Sequence, residues 1–301
     1  MFGNLVLMAK SAAELMMERE TRVALGAVPH SLTDERLAEM HSQLREDQFL
    51  LRGAGHHYFH YLRGQGITIE RGPGADCSEE SLWLNGSVHA AIASINGLLP
   101  IHASAVAVGE RVFAFTGPGG AGKSTLVAAL GDCGLPMFCD DTLVLDLSDP
   151  DRITCLPGHK RLKLTPHALA LTSATAEEQV SLTVDKFYAR PAAGDVRVAL
   201  PLAHLIFLEE GAELGINEIL GAERFVRIQD DHYTARLFAS AMQFDPAGRF
   251  AHFSRLARQI DMARLVRPRD GLRFGESVAL VARYVAEKAR VASPGQISCA
   301  L

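Results

Sequence analysis

The chain has 301 residues, 48% hydrophobic and 22% charged, with a formal net charge of −5. This is globular composition with material for a sizeable core, and the acidic balance excludes a chain-wide basic footprint for nucleic acid. No apolar run approaches the ~18 residues of a membrane span, so neither nucleic acid nor membrane is expected as a partner.

The first apolar run, in "MFGNLVLMAK", has its positive charge after it, at Lys10, rather than before it. That is not the order of a secretory leader, and the expectation is a cytoplasmic protein. Residues 1–50 read as mostly helical. In "SLTDERLAEMHSQL", Ser31 is a candidate N-cap, with Asp34 and Glu35 in the first turn. From Phe49 the texture changes: "QFLLRGAGHHYFHYLRGQGITIE" reads as two or three antiparallel strands joined by tight turns. Its His56, His57 and His60 lack the spacing of a zinc site and suit an exposed hairpin face. "SLWLNGSVHAAIASINGLL" returns to a helical period, with Gly97 as its C-cap. Residues 1–97 thus form a small N-terminal α+β lobe.

A second texture begins at residue 98. "IHASAVAVG" and "RVFAFTG" are strands, "KSTLVAALGDCG" is a helix, and "LPMFCDD", "TLVLDLS" and "VALPLAHLIFLEE" are further apolar strands. "DHYTARLFASAMQ", "AHFSRLARQIDMARLV" and "GESVALVARYVAEKARV" read as helices. The expected fold is α/β, with a parallel or mixed sheet, over residues 98–292, and residues 293–301 are a frayed tail. The five cysteines form no CxxC pair and read as buried, reduced thiols.

Gly117-Pro118-Gly119-Gly120-Ala121-Gly122-Lys123-Ser124 fits G-x-x-x-x-G-K-[ST] at every fixed position, with an apolar strand before it and an amphipathic helix after it. Such glycines let consecutive backbone N–H groups turn inward on phosphate oxygens, and the helix N-terminus adds its positive dipole end. Lys123 would reach the β- and γ-phosphates and Ser124 would ligate Mg²⁺. The expected ligands are ATP and Mg²⁺.

Asp140 and Asp141 follow seventeen and eighteen residues after Lys123. One short helix and one turn separate them from the loop, so their strand is expected beside the loop strand, with both carboxylates at its C-terminal end. Adjacent carboxylates beside Mg–ATP can divide the labour: one holds metal, the other takes a proton from an attacking hydroxyl. The bland alternative is a solvated turn with Asp141 as a cap. His102 lies one strand upstream, within reach of the pair if the two strands are neighbours. Among the remaining cations, Arg161 and Lys163 alternate along a strand in "GHKRLKL", Lys186 sits in "VDKFY", and Arg267 and Arg269 sit in "VRPRDG". Each is a candidate for triphosphate charge, and Arg161 with Lys163 alternatively for an acidic acceptor peptide, set against a plain surface or edge-strand role.

"LPIHASAV…FTGPGGAGKSTLVAALGDCGLPMFCDD" resembles the catalytic core of HPr kinase/phosphorylase and its kinase-like relatives, specifically from Leu98 to Asp146 and loosely beyond. The resemblance implies a P-loop core of the HPr kinase/phosphoenolpyruvate-carboxykinase type, with Gly117 to Thr125 on the ATP phosphates. It implies Asp140 as general base, Asp141 with Ser124 on Mg²⁺, and His102 supporting Asp140, although the sequence does not order the two aspartates. The loop ends Lys-Ser-Thr where the bifunctional enzyme usually has Lys-Ser-Glu, and its "EIRGLG"-type segment has no counterpart. The resemblance is therefore nearer to the kinases of peptide-modification gene sets, such as those for lasso peptides. The expectation is a kinase for a serine of an acceptor peptide or protein. The alternatives are a kinase for a small hydroxyl metabolite such as free serine, and an ATP-binding regulatory module without transfer. A homo-oligomer is compatible with each.

Overall fold

The structure, a computed structural model, describes residues 10–33, 37–39, 41–75, 77–181, 184–229, 246–268 and 271–291. The first elements are α1 (Ala12–Glu20) and the strands β1 (Val23–Leu25), β2 (Leu37–Glu39), β3 (Ser42–Leu44), β4 (Gln48–Arg52), β5 (Tyr58–Leu62) and β6 (Gly66–Glu70). The strands form one sheet in the order β1-β6-β5-β4-β3-β2, antiparallel except for β1 against β6. The three strands read from residue 49 onward are thus present. The mostly helical reading of residues 1–50 is not. Residues 37–39 and 42–44 pair as strands, and Asp34 and Glu35 lie outside the described residues. The helix near the start begins instead at Ser11, in a reciprocal capping box with Glu14.

The sheet folds because its inward residues Phe49, Leu51, Phe59, Tyr61, Ile67 and Ile69 share one dry cluster with a following helix. That helix is broken where one continuous helix was expected. It runs as α2 (Glu80–Trp83), a π-turn over Leu84–Val88, and α3 (His89–Ile95). Gly97, at φ 79°, closes α3 in a Schellman motif: its N–H donates to Ser94 O and that of Leu98 to Ala93 O. Glu20, at the end of α1, accepts from Tyr61 Oη and Gly64 N and locks the first helix to the sheet.

The second sheet is built from β7 (Leu99–Ile101), β8 (Ala103–Val108), β9 (Arg111–Thr116), β10 (Met137–Cys139), β11 (Leu143–Asp146), β12 (Thr154–Leu156), β16 (Leu200–Glu210), β17 (Gly215–Ile219) and β18 (Asp261–Arg267). Its order is β10-β8-β9-β16-β12-β11-β7, with β18 on β16 and β17 on β18. β9, β16 and β18 run parallel and the other pairs antiparallel, so the protein is α/β with mixed sheets. Two expectations change here. The aspartate strand β10 pairs with β8, not with β9. In "AHFSRLARQIDMARLV" only the first half is helical, and the second half is β18.

Alternation on the central strands sets the layers. Val112 and Ala114 of β9 join one core with Ile228 of α6 (Ala222–Ile228) and Phe253 of α7 (Pro246–Gln259). Phe113 and Phe115 face the other way. They pack with Leu126 and Leu130 of α4 (Lys123–Asp132) and Val281 of α8 (Phe274–Val291). Truncating a fully buried Phe113 to Ala would cost on the order of 3–5 kcal/mol. Val144 and Leu156 turn from the second sheet into the first lobe's cluster, so the two sheets share a core. A third sheet, β13-β15-β14, comprises β13 (Leu162–Leu164), β14 (Thr175–Ser181) and β15 (Val184–Arg190), with α5 (Pro166–Ala170) beside it.

The helix expected over "DHYTARLFASAMQ" and the tail at 293–301 lie outside the described residues. Among the described residues no helix is long and apolar enough to cross a membrane. Cys139 and Cys155 are buried as expected, but Cys77 and Cys133 are exposed.

Candidate active site

β9 delivers the chain into the glycine loop, and α4 leaves it at Lys123. Gly122, at φ 82°, is the left-handed residue through which the loop enters the helix. A Cβ there would stand 2.7 Å from Arg267 Nη2. Gly117 is equally constrained, because its Cβ would meet Leu208 O at 3.0 Å. No side chain caps the start of α4, so its first-turn N–H groups keep their hydrogen-bonding capacity for another acceptor. Lys123 is only 6% exposed. Its Nζ donates to Gly117 O at 2.9 Å and Pro118 O at 3.1 Å. Burial pushes the ammonium down to about 8 and the charge of Lys186 adds to this, while Asp140 and Asp141 oppose it. Lys186 itself is exposed on β15, close enough for its charge to be felt at Lys123.

The two aspartates are brought to this loop by register. The pairing Cys139↔Ala105 sets Asp140 beside Ser104, and Ala103↔Thr116 sets His102 at the start of the loop. Asp140 is 2% exposed. Its Oδ1 accepts from Ser104 Oγ at 2.6 Å and from Ser124 Oγ at 2.8 Å, and its Oδ2 accepts from the Lys163 N–H at 3.0 Å. Asp141 is different. It holds a positive φ of 71°, a conformation Asp tolerates better than most residues, and its side chain is 28% exposed. Its Oδ2 accepts from Lys163 Nζ at 2.6 Å, and its Oδ1 lies 3.6 Å from His102 Nδ1.

Burial works to raise the Asp141 carboxyl, but the charge and hydrogen bond of Lys163, with His102 and Lys123, outweigh it and hold the group below its usual range. The His102 imidazole is pushed toward its neutral form by burial and by Lys123, against the pull of both aspartates. The expectation that His102 stands against Asp140 is thus corrected: its close carboxylate is Asp141.

Behind the pair, the segment between β12 and β13 packs tightly: a Cβ on Gly158 would meet Cys139 Cβ at 3.0 Å and Thr142 O at 3.1 Å, closer than ordinary van der Waals contact. Lys163 and Arg161, read together in the sequence, part company here. Lys163 turns to Asp141. Arg161 pairs with Glu177 and Glu178 and lies over the Tyr188 ring, so its charge is taken by β14 rather than by the loop. Arg267, at the end of β18, donates to Ala121 O at 2.5 Å and so clasps the loop from outside. A cleft of about 490 Å³ opens there, between the loop, Thr125, His167, Arg267 and Phe274. Asp140 and Asp141 do not line it. Arg269 lies outside the described residues.

His56, His57 and His60 diverge: His56 is exposed. His57 is fully buried beside Glu80 rather than on an exposed face, and His60 meets Gln48 Oε1. Among the described residues no cluster of three or more His, Cys, Asp or Glu could hold a metal ion. The hydroxyl and carboxylate oxygens of Ser124 and Asp140, 2.8 Å apart, are nonetheless the hard donors that Mg²⁺ uses when phosphates and water complete its shell.

Sequence reasoning missed Ser104 as a partner of Asp140. Its signal was the strand period: Ser104 stands two residues from His102 on the same face.

No family model matches the chain, and no curated protein matches it. Among solved structures it is similar to the Hpr(Ser) kinase/phosphatase from Coxiella burnetii, at 12% identity and a TM-score of 0.35. The match covers 64% of this chain and 94% of that one. So distant a likeness assigns neither a family nor a reaction.

Proposed function

We propose that the protein is an ATP-dependent kinase that transfers the γ-phosphoryl group to a serine hydroxyl of a peptide or protein. The carrying observation is the division between two adjacent carboxylates at one glycine loop. Asp140 is buried against the loop serine, while Asp141 is part-exposed against His102 and Lys163. In this reading the loop amides and Lys123 hold the triphosphate, and Ser124 with Asp140 would hold Mg²⁺, which neutralises phosphate charge when bound. This exchanges the roles that the resemblance implies for the aspartates, because Ser124 bonds Asp140 and not Asp141. Asp141 orients the acceptor hydroxyl and receives its proton. A carboxylate of low basicity serves this purpose when transfer is late in proton movement and positioning dominates. His102, its Nδ1 3.6 Å from Asp141 Oδ1, packs beside that carboxylate and adds no hydrogen bond to it. Residues 98–292 form the catalytic unit and residues 1–97 the lobe that covers it.

The test is mass-spectrometric detection of added phosphate on a serine-containing peptide library incubated with Mg–ATP. Asp141→Asn should abolish transfer and leave nucleotide binding within about twofold, since it removes a group acting only in the transition state. Asp140→Asn should weaken the Mg²⁺ dependence of nucleotide binding. Full transfer by Asp141→Asn would overturn the assignment.

A further inference from the structure

The Asp141 side chain is 28% exposed, and the first lobe approaches it. The π-turn Leu84–Val88 of the first lobe lies against it, with Gly86 at φ −105° and ψ −106°, outside helical geometry. π-turns cost hydrogen-bond geometry and are frequent at functional sites. This one is fixed at both ends. Asn85 Nδ2 donates to Ser81 O at 2.8 Å, and Val88 is fully buried in the lobe's cluster with Ala91 and Ile92. A Cβ at position 86 would stand 3.5 Å from Asp141 Oδ2. Apart from its chain neighbours and its own helix backbone, no other heavy atom among the described residues comes within 4 Å of that position. The turn therefore leaves a cradle beside the carboxylate oxygen that, among the described residues, is open on its other sides. A hydroxyl hydrogen-bonded to that oxygen sits at roughly 2.7 Å, in the shell a Cβ would enter. Lys163 already holds the same oxygen from the β13 side, which fixes its position.

We propose that the cradle between Gly86 and Asp141 Oδ2 receives the hydroxymethyl group of the phosphoryl acceptor, so that the N-terminal lobe builds the acceptor half of the site. This rests on the kinase reading above. The acceptor oxygen forms its bond to the γ-phosphorus, and the bond from that phosphorus to the bridging oxygen breaks, its electron pair leaving with ADP. The acceptor proton passes to Asp141. Gly86 belongs to this step because any side chain there competes with the acceptor for one oxygen.

The test compares the full chain with Gly86→Ala and Gly86→Val, using a degenerate serine peptide library with Mg–ATP and a fluorescent ADP analogue. Transfer should fall at least about tenfold in Gly86→Ala and further in Gly86→Val, while affinity for the analogue stays within about twofold. Transfer at the unsubstituted rate in Gly86→Ala overturns the cradle and leaves the kinase reading standing. No transfer by the unsubstituted chain to any library member overturns both. As a measurement free of substitution, amide hydrogen exchange over residues 84–89 should slow when the best library peptide is added with ADP, and unchanged exchange there also overturns the cradle.

Discussion

Lys163 holds Asp141 by its side chain, Nζ to Oδ2 at 2.6 Å, while its backbone N–H holds the neighbouring Asp140 at 3.0 Å. One residue thus spaces both carboxylates by two separable bonds. Burial lowers the Lys163 ammonium, but Asp141 and Asp140 more than restore it, and the group stays charged. Lys163→Met removes the ion pair and keeps the main-chain bond. Transfer should fall by about 10²-fold, the scale of losing one preorganised charge at a reacting centre, with nucleotide affinity little changed. Lys163→Arg should recover part of the loss. Single-turnover transfer with a fluorescent-nucleotide titration separates the two quantities, and an equal loss in both would show that Lys163 acts on nucleotide binding instead.

Arg267 reaches the loop from the end of β18, a contact 146 residues away in sequence, and burial pulls its guanidinium below its usual range. It lines the cleft beside the loop. Arg267→Ala should weaken nucleotide binding by about ten- to a hundredfold, the worth of a charge-assisted hydrogen bond of ~1.5–3 kcal/mol. Gly122→Ala should do comparable damage by a different route. It forces a left-handed conformation on alanine, at roughly 1–2 kcal/mol, and drives Cβ against Arg267 Nη2. Calorimetric titration of each variant with Mg–ADP checks both, and unchanged affinity in Arg267→Ala would remove it from the phosphate site.

What the sequence made legible here is what is local. The strand, glycine loop and helix from Arg111 to Asp132 follow from residue types within a single stretch, and so does the Asp140–Asp141 pair just beyond. What was hidden depends on partners brought in by tertiary register. Asp140 is fixed by Ser104, 36 residues upstream, and by Lys163, 23 residues downstream, so no spacing rule could order the two carboxylates. The misread strand at Asp261–Arg267 has the same cause. "DMARLVR" continues a helical period, yet it lies between β16 and β17, where the pairing of both edges outweighs local preference. Gly86 read as an ordinary helix position, because its meaning lies in the distance to Asp141.

His204 offers a prediction about stability that is independent of the catalytic reading. It is 4% exposed on β16, stacked on Phe113 and edge-on to Tyr284. Burial pushes its imidazole down to about 4, with Lys288 and Arg111 adding to this and Asp261 and Glu218 opposing. Arg224 lines the same small cavity. In the unfolded chain the same group titrates near its ordinary 6.5. The folded value is the lower one, so the unfolded state binds the proton first as pH falls. The contribution of neutral His204 is therefore fully present above pH ~6.5 and is lost as pH falls from there toward ~4. Between pH ~7.5 and ~5 the loss from this one group is about 2 kcal/mol. His204→Phe keeps an aromatic ring against Phe113 and removes the titration. Urea unfolding at both pH values should show the unsubstituted protein losing about 2 kcal/mol more than the variant, with other acid-sensitive groups cancelling in the comparison. Parallel losses in the two proteins would mean that His204 is protonated in the folded state, and that the Asp261 carboxylate, 3.7 Å from its Nε2, is a full ion-pair partner.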